Sequence, residues 1–142
     1  MGDIEAITAL VNSYAERIDA GDLDGVAALF DDATWRSGST GDVFRGATQV
    51  RRVYDRIVLY EDGTPRTRHL LTNLTIELDP SGEAASGRCS FTVLQSLVPG
   101  EPIQVVVSGR YVDRYRKSQG RWQFADRLFI ADLIGDQSRH FV

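Results

Sequence analysis

Apolar residues recur at steps of three and four between residues 4 and 18, where Ile4, Ile7, Val11, Tyr14 and Ile18 are separated by polar positions. That period predicts an amphipathic helix with one buried face. Gly21 supplies a stop, and Asp22 can cap a second short helix carrying Leu23, Val26, Ala27 and Phe30. Two short strands are predicted over 33–38 and 42–46, around Ser37-Gly38-Ser39-Thr40-Gly41. This loop lacks the Gly-Lys-Ser/Thr ending of a phosphate-binding loop and reads as a hairpin turn. A third helix is predicted over about 47–59, with Val50, Val53 and Ile57 inward and Tyr54 at the margin of that face.

From Thr67 onward the period shifts from helical to strand-like. Four β-rich runs, 67–78, 84–97, 103–116 and 121–133, are separated by turns at Asp79-Pro80-Ser81-Gly82, Val98-Pro99-Gly100 and Ser118-Gln119-Gly120. Long consecutive strands with short turns predict an antiparallel meander. Helices followed by such a meander predict an α+β domain whose helices cover the apolar face of the sheet. Three helices are few for that task, so one end of the sheet can stay open as a pocket. With no repeat, linker or low-complexity stretch, a single domain over 1–142 is expected.

Composition narrows the chemistry. Of 142 residues, 42% are hydrophobic and 25% charged, with a formal charge of −4. The acidic balance argues against nucleic acid, whose binding draws on Lys and Arg neutralising phosphates. Arg51, Arg52 and Arg56 do cluster, but beside Tyr54 and Asp55 they read as a solvated helix face. No apolar run approaches the roughly 20 residues of a membrane span. The start Met1-Gly2-Asp3-Ile4-Glu5 is acidic where a signal peptide is basic, so a cytoplasmic protein is expected. The lone Cys89 cannot build a disulfide within the chain or a multi-thiolate metal site, and no His or Asn stands near it in sequence to activate it. No nucleophile elbow, dinucleotide fingerprint or zinc-protease motif occurs, so neither metal nor organic cofactor is expected.

The remaining reactive groups are few. Asp19 falls in the last turn of the first helix, where the carbonyl end disfavours an anion; it either frays into solvent or takes a donor partner. His69, near the start of the first long strand, shares a strand face with Thr67 and Leu71. An imidazole there is structural unless a carboxylate such as Asp19 holds one ring nitrogen and leaves the other as a base. Arg127 alternates with Ala125, Phe129 and Ala131, so it either pairs with Asp126 or Asp132 or meets an anionic group. Tyr14 and Trp35 are amphipathic rings suited to core or site. His140 is expected to be exposed or part of a contact.

The Tyr14-Ala15-Glu16-Arg17-Ile18-Asp19-Ala20-Gly21-Asp22-Leu23-Asp24 segment, the helical first half and the Gly120-Arg121-Trp122-Gln123-Phe124 strand resemble the SnoaL-like branch of the nuclear transport factor 2-like superfamily. The resemblance spans essentially the whole chain. It implies a cystatin-like, cone-shaped α+β barrel: a strongly curved, mixed but mainly antiparallel sheet around three helices, with a deep apolar cavity. Within the superfamily the pattern is similar to hexachlorocyclohexane dehydrochlorinase, bile-acid 7α-dehydratase and scytalone dehydratase. It implies a catalytic Asp at Asp19, a catalytic His at His69, a pocket arginine at Arg127 and a pocket tryptophan at Trp35. Tyr14 matches the catalytic Tyr of the bile-acid enzyme and departs from the Lys of the dehydrochlorinase, favouring dehydration or isomerisation over loss of halide. The strand 88–95 lacks the further carboxylate of the bile-acid enzyme.

The expectation is therefore a cofactor-independent lyase or isomerase acting on a small, cyclic, largely apolar substrate. A non-catalytic ligand-binding or dimeric accessory module, and a polyketide cyclase, are the alternatives. Self-association into a dimer or trimer is expected by resemblance, with Val105, Val107 and Tyr111 or their alternates as the apolar sheet face to be covered.

Overall fold

The computed structural model describes residues 2–142. Helix α1 runs Asp3–Asp19, α2 Leu23–Ala28 and α3 Gly46–Arg51; strands are β1 Thr34–Ser37, β2 Val43–Arg45, β3 Thr67–Leu78, β4 Ala84–Gln95, β5 Gln104–Ser118 and β6 Arg121–Ile134. All six strands form one open sheet in the order β2-β1-β6-β5-β4-β3. The β1–β6 pair is parallel and every other pair antiparallel. The expected mixed α+β fold is therefore present, with β2 and β3 as free edges rather than a closed barrel.

Helix α1 buries Ile7, Val11, Tyr14 and Ile18 as its period requires, whereas Ile4 stays 44% exposed at the first turn. Its end determines where Asp19 sits. Gly21, at φ +78°, is left-handed; its N–H donates to the Ile18 carbonyl (2.9 Å) and that of Asp22 to the Arg17 carbonyl (2.9 Å). This is the Schellman closure that glycine permits without a Cβ penalty, and it fixes Asp19 as the last helical residue. A side chain at Gly21 would also meet the Gly63 carbonyl at 2.0 Å.

The third helix is shorter than its pattern predicts. It gives way to a 3₁₀ turn over Arg52–Tyr54, and the chain beyond bonds elsewhere. The Val58 N–H donates to the His140 carbonyl (2.9 Å), that of Val142 to the Arg56 carbonyl (2.9 Å), and Ile57 bridges Phe141. β-Branched Val53, Ile57 and Val58 lose little by leaving the helix, and tertiary pairing wins. Val50 and Tyr54 are nonetheless buried as inward residues.

Register shifts at Thr72/Thr75, Val93/Leu94, Ser108/Gly109 and Arg114/Tyr115 bend the long strands. The inward face carries Phe91, Val107, Tyr111, Tyr115 and Phe124, all buried, and packs on the helices. Tyr14 meets Phe30, Tyr111 and Phe124 edge-on at 5.9, 5.6 and 6.2 Å, and Phe30 stacks on Phe124 at 4.9 Å. Val107 and Tyr111 thus belong to the core and not to an uncovered face. Of the three apolar residues expected outside, only Val105 is, with Leu133 and Ile134 on the neighbouring strand. No helix among the described residues is long and apolar enough to cross a membrane.

Candidate active site

Between the helices and the inward sheet face lies a cavity of about 210 Å³. Its walls are mostly apolar, from Ile18, Val53, Ile57, Phe91, Val93 and Phe129 among others. Polar groups reach it only from Tyr14, Trp35, Tyr54, His69, Tyr111 and His140. This is the composition of a small-ligand site: an apolar lining with a few placed donors and acceptors.

Asp19 and His69 are brought together by the end of α1 and the start of β3. The His69 ring approaches Asp19 Oδ1 through Nδ1 at 2.6 Å. The same carboxylate accepts from Thr67 Oγ1 (Oδ1, 2.8 Å) and from the His69 backbone N–H (Oδ2, 2.8 Å). Strand alternation places Thr67 and His69 on one face, so both reach the helix end. Burial pushes the Asp19 carboxyl up, but the hydrogen bonds and charge of His69, with Thr67, outweigh it and hold the group below the ordinary 3.8. An ionised Asp19 requires Nδ1 to carry hydrogen, which leaves Nε2 of neutral His69 with its lone pair free.

Tyr14 and Tyr54 form the second polar group. Their hydroxyls lie 2.7 Å apart, and Trp35 Nε1 donates to the Tyr14 oxygen at 3.4 Å. Burial, then the neighbouring Tyr14, keep the Tyr54 phenol protonated far above the usual range. Trp35 stacks on Phe129 with ring centroids 5.4 Å apart, which fixes the indole in the wall.

Arg127 is placed differently. Its guanidinium is wholly buried beneath the cavity wall, and its partner is neither Asp126 nor Asp132. Those two acids face outward and bind Arg36 and Arg110. Arg127 instead pairs with Asp113, directly opposite on β5, through two hydrogen bonds of 2.8 Å. It also lies over the rings of Tyr111 (3.8 Å), Tyr14 (4.2 Å) and Phe124 (4.7 Å). Burial alone would disfavour its charge, yet Asp113 outweighs that and holds the guanidinium protonated. Nη1 is buried with no hydrogen-bond partner among the described residues.

Of the two expectations for His140, exposure fails and participation in a contact holds. The residue is 4% exposed and stands in the cavity wall rather than at the surface. Four residues of this neighbourhood were thus not singled out from sequence: Tyr54, Thr67, Asp113 and His140. Thr67 shares the strand face of His69, and Asp113 shares that of Tyr111 and Tyr115, so alternation was a usable signal for both. Nothing local marks His140.

A helix-packed, open, mixed sheet enclosing an apolar cavity is the architecture of proteins described as cystatin-like and nuclear transport factor 2-like. The SnoaL-like domain model matches residues 1–128, and the chain belongs to that family. Rv3472 of Mycobacterium tuberculosis, a protein of unknown function, is 32% identical over 92% of this chain and 72% of its own, with a TM-score of 0.74. LinA, a hexachlorocyclohexane dehydrochlorinase, is 21% identical over 98% and 92% of the two chains at a TM-score of 0.73. A protein of Novosphingobium aromaticivorans provisionally named a scytalone dehydratase is 20% identical over 92% and 85%, at a TM-score of 0.71. The neighbours thus include a lyase and proteins of unknown function. No curated protein sequence matches.

Proposed function

We propose that the protein is a cofactor-independent lyase or isomerase that removes a proton from carbon in a small cyclic substrate. The observation that carries this reading is a carboxylate-held imidazole on the wall of an apolar cavity. Asp19 orients His69 and stabilises the imidazolium, and Nε2 of His69 takes the proton. A general base so positioned contributes about 10²- to 10⁴-fold. In the dehydratase form, the C–H and C–O bonds of adjacent carbons break and a C=C bond forms. The proton goes to His69, the departing hydroxyl takes one from Tyr14, and water leaves. In the isomerase form, Tyr14 donates a hydrogen bond to the developing oxyanion and the proton returns at another carbon.

Tyr54 supports Tyr14 from behind, since a protonated phenol 2.7 Å away can donate to a Tyr14 oxygen that gains charge. Arg127 is assigned a supporting role: its guanidinium, 4.2 Å from the Tyr14 ring centroid, packs against that ring and fixes it without touching substrate. Trp35 serves as wall and as a fixed donor. The cavity, at about 210 Å³, lies below the roughly 300–1,000 Å³ typical of drug-sized ligand sites. Its size favours a one- or two-ring substrate over the polycyclic ones of bile-acid and polyketide chemistry.

The test is a panel of small cyclic alcohols, ketones and halides incubated with the protein and read by mass spectrometry, beside His69→Ala. Dehydrated or isomerised product from the native protein, lost in the variant while ligand binding persists, is expected. Equal turnover by His69→Ala refutes the assignment of the base, and no turnover across the panel favours a ligand-binding module.

A further inference from the structure

Two polar residues in the cavity wall, Tyr111 and His140, have no part in the chemistry above, and His140 is the titratable ring among them whose setting is unusual. Residues 135–142 are fastened on both sides of His140. The Val58 N–H donates to the His140 carbonyl and the Val142 N–H to Arg56, while Gln95 Nε2 reaches the Arg139 carbonyl at 3.2 Å. Phe141 packs against the imidazole with ring centroids 4.5 Å apart. This backbone does not leave the ring free to swing into solvent, and the side chain contributes to the cavity lining.

The imidazole is unsatisfied there. Nδ1 is buried without a partner, and no hydrogen bond among the described residues reaches either ring nitrogen. Most other polar groups around the cavity are engaged: Tyr14 with Tyr54, Trp35 with Tyr14, and His69 Nδ1 with Asp19; the Tyr111 hydroxyl, like the His140 ring, has no hydrogen bond among the described residues. Buried polar atoms without partners are rare in native folds and call for a specific explanation. Nδ1 itself has no accessible surface toward the cavity, whereas Nε2, equally unbonded but not enclosed, is the ring nitrogen that a ligand atom can reach.

We propose that His140 is a ligand-binding residue whose imidazole hydrogen-bonds a hydroxyl or carbonyl oxygen on the cyclic substrate. The proposal deepens the lyase or isomerase reading and rests on it for calling the ligand a substrate. It narrows the ligand class to oxygenated rings, as against hydrocarbons or polyhalides. Burial first, and the neighbouring His69 second, hold His140 down at about 4 against a partial pull upward from Asp19. The ring is therefore neutral at pH 7, with one donor and one acceptor nitrogen, and offers an oxygen a hydrogen bond instead of a counter-charge.

The chain has two histidines, so ¹⁵N-histidine labelling yields two sets of ring signals, which His140→Phe and, independently, His69→Ala assign. Cyclohexanone and its hydrocarbon isostere methylenecyclohexane are the probes. The ketone is expected to shift a His140 ring nitrogen in the native protein, and the alkene to leave it in place. The ketone-to-alkene affinity ratio, read by ligand-detected NMR, should fall about tenfold in His140→Phe, the size of one hydrogen bond. An unmoved His140 signal, an unchanged ratio, or exclusion of both probes overturns the proposal. The spectra of the native protein keep the test valid if His140→Phe folds poorly. Both readouts are binding alone, so failure of the panel to yield product would refute the elimination reading and leave this result standing.

Discussion

Asp113→Ala strips the counter-charge from a guanidinium that cannot reach water. Both members of the Asp113–Arg127 pair are essentially inaccessible, with side chains 1% and 0% exposed. Removing one partner of such a pair leaves an uncompensated buried charge and costs about 3–5 kcal/mol. Tyr115, whose hydroxyl donates to Asp113 Oδ2 at 2.8 Å, also loses its acceptor, for about a further 1 kcal/mol. Stacking on Tyr111 and Tyr14 persists, but it was present before and cannot replace two hydrogen bonds. The expected loss of about 5 kcal/mol is a large share of the 5–15 kcal/mol that holds a typical domain together. Urea unfolding with linear extrapolation measures it, beside Asp132→Ala, which breaks the solvent-screened pair with Arg110 and serves as the small-effect control. The double variant Asp113→Leu/Arg127→Met should recover most of the loss, because an apolar replacement removes both desolvation penalties. If Asp113→Ala lies within 1 kcal/mol of the surface control, the guanidinium is not held as a buried charge and the support assigned to Tyr14 goes with it.

Three other perturbations follow from the same geometry. Asp19→Asn removes a carboxylate whose folded pKa lies below 3.8, so its contribution is present above that value and fades as pH falls through the folded one; acid titration of stability should be shallower in the variant. The same change should release the tautomer of His69, visible as a mixed Nδ1/Nε2 signal in ¹⁵N spectra. His140, depressed from 6.5 to about 4 by burial, then by His69 against Asp19, stabilises the fold above pH 6.5, and that contribution is lost as pH falls toward 4. Native protein should lose on the order of 3 kcal/mol over that interval through this group, and His140→Phe should be flatter by that amount in urea titrations. Gly109→Ala would place a Cβ 2.0 Å from the Ile130 carbonyl oxygen and 2.9 Å from the Phe91 ring at the β5 bulge. A loss of more than about 2 kcal/mol in thermal unfolding is expected, and a neutral result would mean the bulge relaxes freely.

The elements most legible in the sequence were those whose burial enforces a period. The first helix and the four long strands were read within a few residues because each presents one apolar face to one core. The third helix was over-extended for a reason that no local pattern carries. Val53, Ile57 and Val58 continue a helical spacing, but the backbone of 56–58 is claimed by residues 140–142, more than eighty positions away. Registry was equally hidden. Arg127 was legible as an inward charge needing an acid or an anionic group, with Asp126 or Asp132 as the acid, yet the choice of Asp113 depends on the bulge at Arg114/Tyr115, which sets what stands opposite it.

The two histidines show how the same limit acts on the site. His69 could be read because its strand face and the end of α1 are both periodic features, and Asp19 at a helix terminus demands a donor. His140 follows the last strand in a stretch without period, so sequence alone leaves open whether it is exposed or part of a contact. What buries it is a set of backbone bonds to the loop after α3 and a side-chain bond from Gln95, itself buried and also bonded to the Pro65 carbonyl at 3.0 Å. Gln95 therefore joins the start of β3 to the segment bearing His140. Since β3 carries His69, Gln95 ties the segments that bear the two imidazoles to one frame.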